Sequence, residues 1–452
     1  MTTIFARRAR LADGWARDVS LTIEGGRIGA VAVNAKPADG AVRVDTLLPA
    51  LGDLHSHSFQ RAMAGMTEYR TAGRDSFWTW RDLMYRFAQE IEPEEVEAIA
   101  ALAFMEMLEA GYAAVGEFHY LHHQKGGAAY AAVDELSQRI FAAAETTGIG
   151  LTHLPVLYIY GGAGKKPLSA EQARFCNDVD GFNRLVETAR GKLPFEDSRI
   201  GIAPHSLRAV SPENLAAVLA AHRDGPVHIH IAEQLKEVED VKAWLGARPV
   251  EWLMRECSVN ERWCLVHATH MTQAETAMLA ASGAVAGLCP ITEANLGDGP
   301  FNGAEYLKNG GDFGVGTDSN VRISLTEELR MLEYSQRLRD FSRNVLCTDS
   351  MSVGETLYLS AARGGARALG REAGAIAAGR LADLVAVDSR RPSLCALDDA
   401  RLLDGVCFAA GDDVVTDVWS AGRHAVRGGR HPAREEIIRL YASAIKRLLA
   451  RS

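Results

Sequence analysis

Residues 49–57, PALGDLHSH, read as a buried β-strand that ends in two histidines. His55 and His57 stand two positions apart, and side chains along a strand alternate between its two faces. Both imidazoles are therefore expected on the same side of the strand. Two imidazoles on one face, at the end of a buried strand, suit a divalent transition metal.

A second histidine pair lies far along the chain, in the apolar run at residues 227–233. His228 and His230 are again two positions apart, and Glu233 follows His230 by three residues, where the chain should be leaving the strand. A carboxylate at that position could move protons beside a bound metal. The two segments together predict a metal site that activates water, and therefore hydrolysis.

Apolar strand-like runs alternate with helical stretches between about residue 50 and residue 370. This alternation predicts βαβ units and a parallel sheet. Eight runs can be counted, which is the number that closes a (β/α)8 barrel: 46–57, 113–120, 150–158, 200–207, 227–233, 264–270, 285–290 and 312–318. We therefore predict an α/β fold with a (β/α)8 TIM-like barrel, a metal-dependent hydrolase domain, at residues 50–374.

Both ends of the chain have a different sequence pattern, in which short β-rich segments are separated by glycines. Residues 1–49 and 375–430 are expected to pair into one small β-sandwich domain outside the barrel. Residues 431–452 are expected to form a C-terminal helix, because the tail has helical periodicity.

Composition excludes several classes of partner. The 49 basic and 58 acidic residues give a formal charge of −9, so nothing in the charge favours nucleic acid or an anionic membrane. The seven cysteines are scattered and contain no Cys-x-x-Cys pair, which favours a reducing compartment. No apolar region follows the arginines of residues 1–10, and no stretch has the length of a membrane span. These features predict a cytoplasmic protein.

Ionisable side chains recur where the predicted strands end. In a barrel of this type the site is built at the C-terminal ends of the strands. One such histidine could be structural, but five strands that end this way by accident are improbable. The strand ends carry His55 and His57, His205, His230 with Glu233, His267 with His270, and Asp318.

We expect one divalent metal ion per chain, zinc, held by His55, His57, His230 and Asp318 with water completing the coordination. A site with two metals needs a bridging anion, commonly a carbamylated lysine on the fourth strand. Residues 193–235 contain no lysine, and His205 stands on that strand instead.

One route to a second metal stays open, namely a glutamate bridge, for which Glu117 is the candidate. Ligand type alone also leaves iron and manganese as alternatives to zinc.

Three side chains are predicted to do the chemistry around the metal. Asp318 would accept a proton from the attacking water, His267 would polarise and orient that water, and Glu233 would pass the proton to the departing nitrogen. The alternative for Glu233 is a surface carboxylate at the start of a helix, since Glu237 and Glu239 follow it. Its fixed spacing from His230 favours the catalytic role.

These motifs resemble the amidohydrolase superfamily, and in particular its mononuclear deaminase and iminohydrolase branch. The resemblance rests on residues 49–57, on His-x-x-Glu at 230–233, on His267, and on Gly-Thr-Asp-Ser at 316–319. It extends to the GRLADLV segment at 379–385, so it covers essentially the whole chain. It implies the same barrel, and it also implies a homodimer.

Within that branch, residues 58–65 and 76–81 resemble the N-formimino-L-glutamate iminohydrolases of histidine degradation. This resemblance implies attack of a metal-bound hydroxide on N-formimino-L-glutamate, which yields N-formyl-L-glutamate and ammonia. By analogy with that family, the residues that hold the substrate would be Gln60, Arg81, Tyr120, His205 and Arg208.

The two arginines in that set also make independent chemical sense. The implied substrate carries two carboxylates, and guanidinium groups bind carboxylates in a directional, bidentate way. Arg208 lies three residues after His205, and Arg81 lies in the long loop after the first strand, which could fold over the rim. Two alternatives stay open: Arg208 could be a solvated loop residue, and Arg81 could stack on Trp78 or Trp80.

Two other functions remain possible from the sequence. The same site could deaminate a nucleobase, a thioadenosine-type compound or a guanidino compound. More remotely, the chain could be a non-catalytic scaffold on this fold, although the complete ligand set argues against it.

Overall fold

Sixteen strands and fourteen α-helices form the part of the chain that the computed structural model describes, residues 2–69 and 76–451. The strands are β1 Thr2–Leu11, β2 Gly14–Glu24, β3 Arg27–Ala32, β4 Val42–Pro49, β5 Leu51–Ser56, β6 Tyr112–His119, β7 Gly150–Leu157, β8 Arg199–Ile200, β9 Ala203–Pro204, β10 Val227–Ile231, β11 Trp263–His267, β12 Val285–Leu288, β13 Asp312–Val315, β14 Leu384–Val387, β15 Val415–Ser420 and β16 Arg423–Arg427.

The helices are α1 Phe77–Glu90, α2 Pro93–Ala110, α3 Glu135–Thr147, α4 Val179–Arg190, α5 Pro212–Ala221, α6 Leu235–Leu245, α7 Pro249–Glu256, α8 Gln273–Ala281, α9 Pro290–Leu296, α10 Gly303–Lys308, α11 Leu325–Asp340, α12 Val353–Ala368, α13 Leu402–Phe408 and α14 Arg434–Leu449. Short 3-10 turns cover Ser58–Met63, Lys125–Gly127, Ala170–Phe175 and Asp412–Val414. Within the described residues, no helix has the length and apolar character that a membrane span requires.

The central strands form two parallel sheets of an α/β fold of the TIM-barrel type. One sheet has the order β5-β6-β7-β8, with β9 also paired to β7, and the other has the order β10-β11-β12-β13. Isolated parallel bridges connect the two sheets, from Ser56 to Asp318 and from Ile202 to Val227. Most of these strands are buried on both faces, which explains why they read as nearly continuous apolar runs. The fourth predicted strand, 200–207, is divided into β8 and β9.

The two ends of the chain meet in one sheet. Its seven strands have the order β16-β15-β14-β4-β1-β2-β3, so β14, from the C-terminal part, pairs antiparallel with β4, from the N-terminal part. The pairing of the two ends agrees with the prediction. The sandwich is not confirmed, because the end segments lie in a single mixed sheet; alternation of apolar residues shows which face of a strand is buried but not what covers it.

Left-handed backbone turns the chain at the rim where the site lies. Ala232 follows β10 with φ 51°, His267 ends β11 with φ 66°, and Asp318 follows β13 with φ 48°. Such conformations cost about 1–3 kcal/mol at a residue that is not glycine, and they persist where the surroundings impose them. Here they bring polar side chains from three strands to one place.

Candidate active site

Four side chains from three distant segments converge beneath the rim. Each of His55, His57, His230 and Asp318 contributes one ligand atom, and these atoms all lie within 4.8 Å of one another. All four residues are buried. The Nε2 atoms of His55 and His57 lie 3.4 Å and 3.3 Å from Asp318 Oδ1. The four residues predicted to bind metal therefore form one cluster.

Backbone carbonyls orient two of the imidazoles. His57 donates from Nδ1 to the Phe118 carbonyl at 2.9 Å, and His230 donates from Nδ1 to the His205 carbonyl at 3.0 Å. Both rings therefore turn their Nε2 lone pairs inward, and His230 Nε2 lies 3.1 Å from His55 Nε2. A ring nitrogen that donates to a carbonyl while the other faces a common centre is the usual arrangement of a metal-binding histidine.

The backbone around Asp318 locks strand β5 to the end of β13. Asp318 donates its N–H to the His55 carbonyl and accepts from the N–H of His57, both at 2.9 Å. Asn320 adds side-chain hydrogen bonds to the carbonyls of His57 and Asp318 at 3.1 Å and 3.0 Å. These hydrogen bonds hold the Asp318 carboxylate in a fixed position relative to the two histidines.

The protonation states of this cluster suit a cation. Burial lowers the pKa of His55 to about 3, and it also lowers the pKa values of His57 and His230, so all three rings are neutral near pH 7. Burial opposes ionisation of Asp318, but hydrogen bonding and the charge interactions with the histidines lower its pKa below the usual range. Three neutral imidazoles and one carboxylate are a donor set that fits zinc or a similar divalent metal.

Glu117, the alternative bridging ligand, has other partners. Its carboxyl accepts from the backbone N–H of Ser58 at 3.0 Å and from the Ser58 hydroxyl at 2.7 Å. Burial raises its pKa to about 8, which favours the neutral acid. Within the described part of the chain it belongs to neither group of potential metal ligands.

Glu233 and His267 stand beside the cluster and face each other. His267 Nε2 lies 3.7 Å from Glu233 Oε1 and 3.8 Å from Asp318 Oδ2. Burial raises the pKa of Glu233 to about 7. For His267, burial acts to lower the pKa, but the charges of Glu233, Asp318 and Glu293 outweigh it and raise the pKa to about 10. The pair can therefore hold and exchange protons near neutral pH.

Two further carboxylates support these residues, and sequence reasoning missed their roles. Glu293 Oε1 lies 3.3 Å from His267 Nδ1, on the side of the ring away from Asp318. Glu237 accepts from the backbone N–H groups of Ala232 and Glu233, both at 3.1 Å, and is fully buried rather than on the surface. Each stands in the first turn of a helix that follows a central strand, which is a signal that the sequence does contain.

A small cavity of about 50 Å³ opens above the cluster. Of the residues predicted to form the site, His55 lies beneath the cavity, and the others line it: His57, Gln60, Arg81, Tyr120, His205, Arg208, His230, Glu233, His267 and Asp318. Arg81 lies in helix α1 rather than in a loop, so its position was only roughly anticipated.

Polar groups on the cavity wall have unused hydrogen-bonding capacity. Gln60 donates from Nε2 to the Tyr120 hydroxyl at 2.8 Å, and its Oε1 has no partner among the described residues. His205 contacts the Ser206 hydroxyl through Nδ1 at 3.0 Å, and burial together with the charge of Arg208 keeps its pKa well below the usual value. These groups could accept hydrogen bonds from, or donate them to, a bound molecule.

Two guanidinium groups on this wall lie over the ring of the same tryptophan. The Cζ atoms of Arg81 and Arg208 lie 4.7 Å and 5.6 Å from the ring centroid of Trp78. Arg208 is 8% exposed, the Glu233 carboxylate is 4.0 Å from its Nη2, and its Nε has no partner among the described residues. A buried cation without a close anionic partner is costly, so this end of the cavity is suited to an anion.

Two protein-family models cover almost the entire chain. The model described as "Amidohydrolase family" matches residues 46–425, and the model described as "Formimidoylglutamate deiminase HutF, N-terminal domain" matches residues 1–43.

Curated relatives and solved structures agree with these matches. The chain is 50% identical to the formimidoylglutamate deiminase of Pseudomonas aeruginosa, over 99% of this chain and 100% of the relative. It is 28% identical to a 5-methylthioadenosine/S-adenosylhomocysteine deaminase of Natronomonas pharaonis, over 89% and 84% of the two chains. The crystal structure of an amidohydrolase from Brucella melitensis superposes with a TM-score of 0.95 at 48% identity, covering 99% of this chain and 100% of that one. A zinc-bound adenosine deaminase from Xanthomonas campestris, at 24% identity and TM-score 0.80 over 99% and 98% of the chains, shares the fold.

Proposed function

The chain belongs to the amidohydrolase family, and from this premise we propose that it is a formimidoylglutamate deiminase of histidine degradation. It hydrolyses N-formimino-L-glutamate: one water enters, and N-formyl-L-glutamate and ammonia leave. The observation that carries the proposal is the cavity itself, because a metal-ligand cluster at its base and two guanidinium groups on its wall match a formimino carbon at one end and carboxylates at the other.

The residues that would hold the substrate are Gln60, Arg81, Tyr120, His205 and Arg208. Arg208 is buried and Arg81 is mostly covered, so a carboxylate between them would interact with little screening by solvent. Gln60 and His205 offer neutral polar groups on the same cavity wall, and the His205 ring centroid lies 4.8 Å from that of His230. A neutral nucleobase would leave the two cations without a counterion.

A divalent metal, for which we propose zinc and one ion per chain, would be held by His55, His57, His230 and Asp318. When bound, such a metal lowers the pKa of coordinated water and so makes a nucleophile accessible near neutral pH. The donor set is suited to such a metal, because three neutral imidazoles and an ionised carboxylate face one centre.

Proton movement is assigned to Asp318, His267 and Glu233. Asp318 accepts the proton of the attacking water, and His267, held on its other side by Glu293, orients that water. Glu233 then delivers a proton to the nitrogen that departs as ammonia, for which a pKa of about 7 is well placed. The formimino carbon passes through a tetrahedral intermediate between these steps.

Several properties beyond the activity are also part of the proposal. We propose a closed eight-stranded barrel at residues 50–374, with the paired chain ends as a separate domain and a homodimeric assembly. We propose a cytoplasmic location, which the seven unpaired cysteines support. We propose neither nucleic acid nor a membrane as a partner.

The decisive experiment is an ammonia-release assay with purified protein. N-formimino-L-glutamate should be turned over, whereas guanine, cytosine and 5-methylthioadenosine should not. Preference for the thioadenosine would instead support the function named for the Natronomonas pharaonis relative. Metal analysis should find one equivalent, and exhaustive chelation should abolish activity; full activity after chelation, or two equivalents at full activity, would contradict the proposal.

A further inference from the structure

Two tyrosines share the cavity wall with the arginines, and neither belongs to the substrate-binding set named above. Tyr85, on α1, and Tyr158, just after β7, both line the cavity and are 8% and 4% exposed. Their hydroxyl oxygens lie 3.2 Å apart. The Arg81 guanidinium lies over the Tyr85 ring, with Cζ 5.3 Å from its centroid, so the pair is at the cationic end of the cavity.

Gln172 binds both hydroxyls from behind. Its Nε2 lies 2.9 Å from the hydroxyl of Tyr158 and 3.3 Å from that of Tyr85. Its Oε1 accepts from the backbone N–H of Ser169 at 2.9 Å, which fixes the orientation of the amide and turns its donor group towards the tyrosines.

One of the two tyrosine hydroxyl protons has no hydrogen-bond acceptor in the part of the chain that the structure describes. Both oxygens accept from Gln172, and one hydroxyl donates to the other. No other hydrogen bond to either hydroxyl occurs within residues 2–69 and 76–451. The second hydroxyl proton therefore has no acceptor in the described protein, although it is buried beside two guanidinium groups. A ligand that only accepts hydrogen bonds and carries negative charge, which is a carboxylate, satisfies all of these donors at once.

We propose that the Tyr85–Tyr158 hydroxyl pair, oriented by Gln172, donates a hydrogen bond to a substrate carboxylate and so helps the enzyme select acidic substrates. This inference rests on the proposed function for the identity of the ligand. Burial raises the pKa of Tyr158 well above its usual value, so the phenol remains a donor throughout the physiological range.

The binding of the reaction product provides the test, because it does not depend on turnover. Metal-loaded protein is titrated by calorimetry with N-formyl-L-glutamate and with its two monoamides, N-formyl-L-glutamine and N-formyl-L-isoglutamine. The double variant Tyr85→Phe/Tyr158→Phe should bind the dicarboxylate about 10- to 100-fold more weakly, the effect of losing a hydrogen bond to a charged group. Its preference for the dicarboxylate over one of the monoamides should fall by a similar factor.

The single variants and Gln172 sharpen the test. Each single Phe variant keeps one unpaired hydroxyl proton, so each should lose less than the double variant. Gln172→Glu keeps the contact with Ser169 but replaces the donor with an acceptor, which draws both hydroxyl protons away from the ligand. It should weaken dicarboxylate binding at least as much as the double variant.

Tyr112→Phe is the matched control, because Tyr112 is buried and its hydroxyl has no partner among the described residues, yet it is not part of the cavity wall. If the double variant binds the dicarboxylate as tightly as the control and keeps the same preference over both monoamides, the inference is wrong. A wild-type protein that binds no dicarboxylate also overturns it. A wild-type protein that binds the dicarboxylate but releases no ammonia from N-formimino-L-glutamate contradicts the proposed function alone.

Discussion

At the scale of single residues, environment rather than residue type separates the roles in the site. Glu233 and Glu293 are both buried glutamates, and both lie beside His267. Only Glu233 also lines the cavity. His230 and His228 lie on the same strand face, and each donates one ring N–H to a backbone carbonyl, but only His230 turns its other nitrogen towards His55 and the cluster. A side chain belongs to the site here when its second hydrogen-bonding atom faces the cluster or the cavity.

The first prediction concerns Glu233. Glu233→Gln keeps the shape but cannot transfer a proton, so kcat should fall by about 10²–10⁴-fold. Because the raised pKa, about 7, keeps the carboxyl protonated below neutral pH, wild-type kcat should decline as pH rises through that value, and the variant should lack this dependence. Steady-state ammonia release across pH 5–9 tests both; a variant with wild-type kcat would remove Glu233 from the mechanism.

The second prediction concerns the buried cation Arg208. Arg208→Met keeps an unbranched apolar stem but removes the guanidinium group and its charge, so KM for N-formimino-L-glutamate should rise by about 10- to 100-fold with a smaller change in kcat. Arg208→Lys should recover only part of the loss, because an ammonium group cannot bind a carboxylate in bidentate fashion. An unchanged KM in Arg208→Met would exclude the residue from the binding site.

At the scale of elements, small residues let α12 lie directly against the strands that carry the site. The helix packs on β5 and β13. A Cβ at Gly364 would lie 1.9 Å from the Phe313 carbonyl oxygen, and one at Gly365 would lie 2.8 Å from that of Gly52. These approaches are backbone to backbone and cannot be relieved by a side-chain rotation. The helix therefore fixes the positions of both strands and, through them, the positions of His55 and Asp318.

The third prediction follows from this packing. Gly364→Ala should lower the free energy of unfolding by about 3 kcal/mol or prevent folding, because the helix must move away from β13. Gly191→Ala is the control: the nearest atom to its added Cβ would be the Thr188 carbonyl oxygen at 3.7 Å, and its stability should be nearly unchanged. Urea denaturation of both variants would show this, and equal stabilities would contradict the packing argument.

At the scale of the whole molecule, a buried arginine joins the sheet of the chain ends to the central strands. Arg371, which follows α12, donates to both oxygens of Asp383 at 3.0 Å and to Asp197 at 3.0 Å. Asp383 precedes β14 and Asp197 precedes β8, so one guanidinium connects the two parts of the chain at the end of the strands opposite the site. Asp197 also binds Arg423, on β16, at 3.0 Å.

The fourth prediction is that Arg371→Met lowers the free energy of unfolding by about 3–5 kcal/mol, since it leaves two buried carboxylates without their shared partner. Activity of the remaining folded protein should be close to that of the wild type, because the residue is remote from the rim. Arg390→Met removes an exposed ion pair with Asp388 and should cost at most about 0.5 kcal/mol. Similar losses in the two variants would argue against a connecting role.

Local periodicity was enough to assign some residues of the site, whereas others depend on contacts between elements. The histidines of residues 49–57 and 227–233 could be assigned to one face because a strand repeats every two residues, a local rule that needs no knowledge of neighbours. Glu293 and Gln172 could not be assigned, because their partners, His267 and the tyrosine pair, belong to other elements of the fold. The sandwich was predicted and not confirmed for the same reason: strand patterns are local, but strand partners are not.

The sequence by itself therefore determined the strand-helix alternation, the type of metal ligand and the presence of cationic groups for an acidic ligand. All three follow from residue chemistry and from periodicities shorter than one element. Only the tertiary structure decided which nitrogen of each imidazole faces the cluster, which hydroxyl proton lacks an acceptor, and how α12 supports the rim. Those outcomes depend on contacts between different elements, such as His57 with Phe118 and Gly364 with Phe313, whose distances no local pattern encodes.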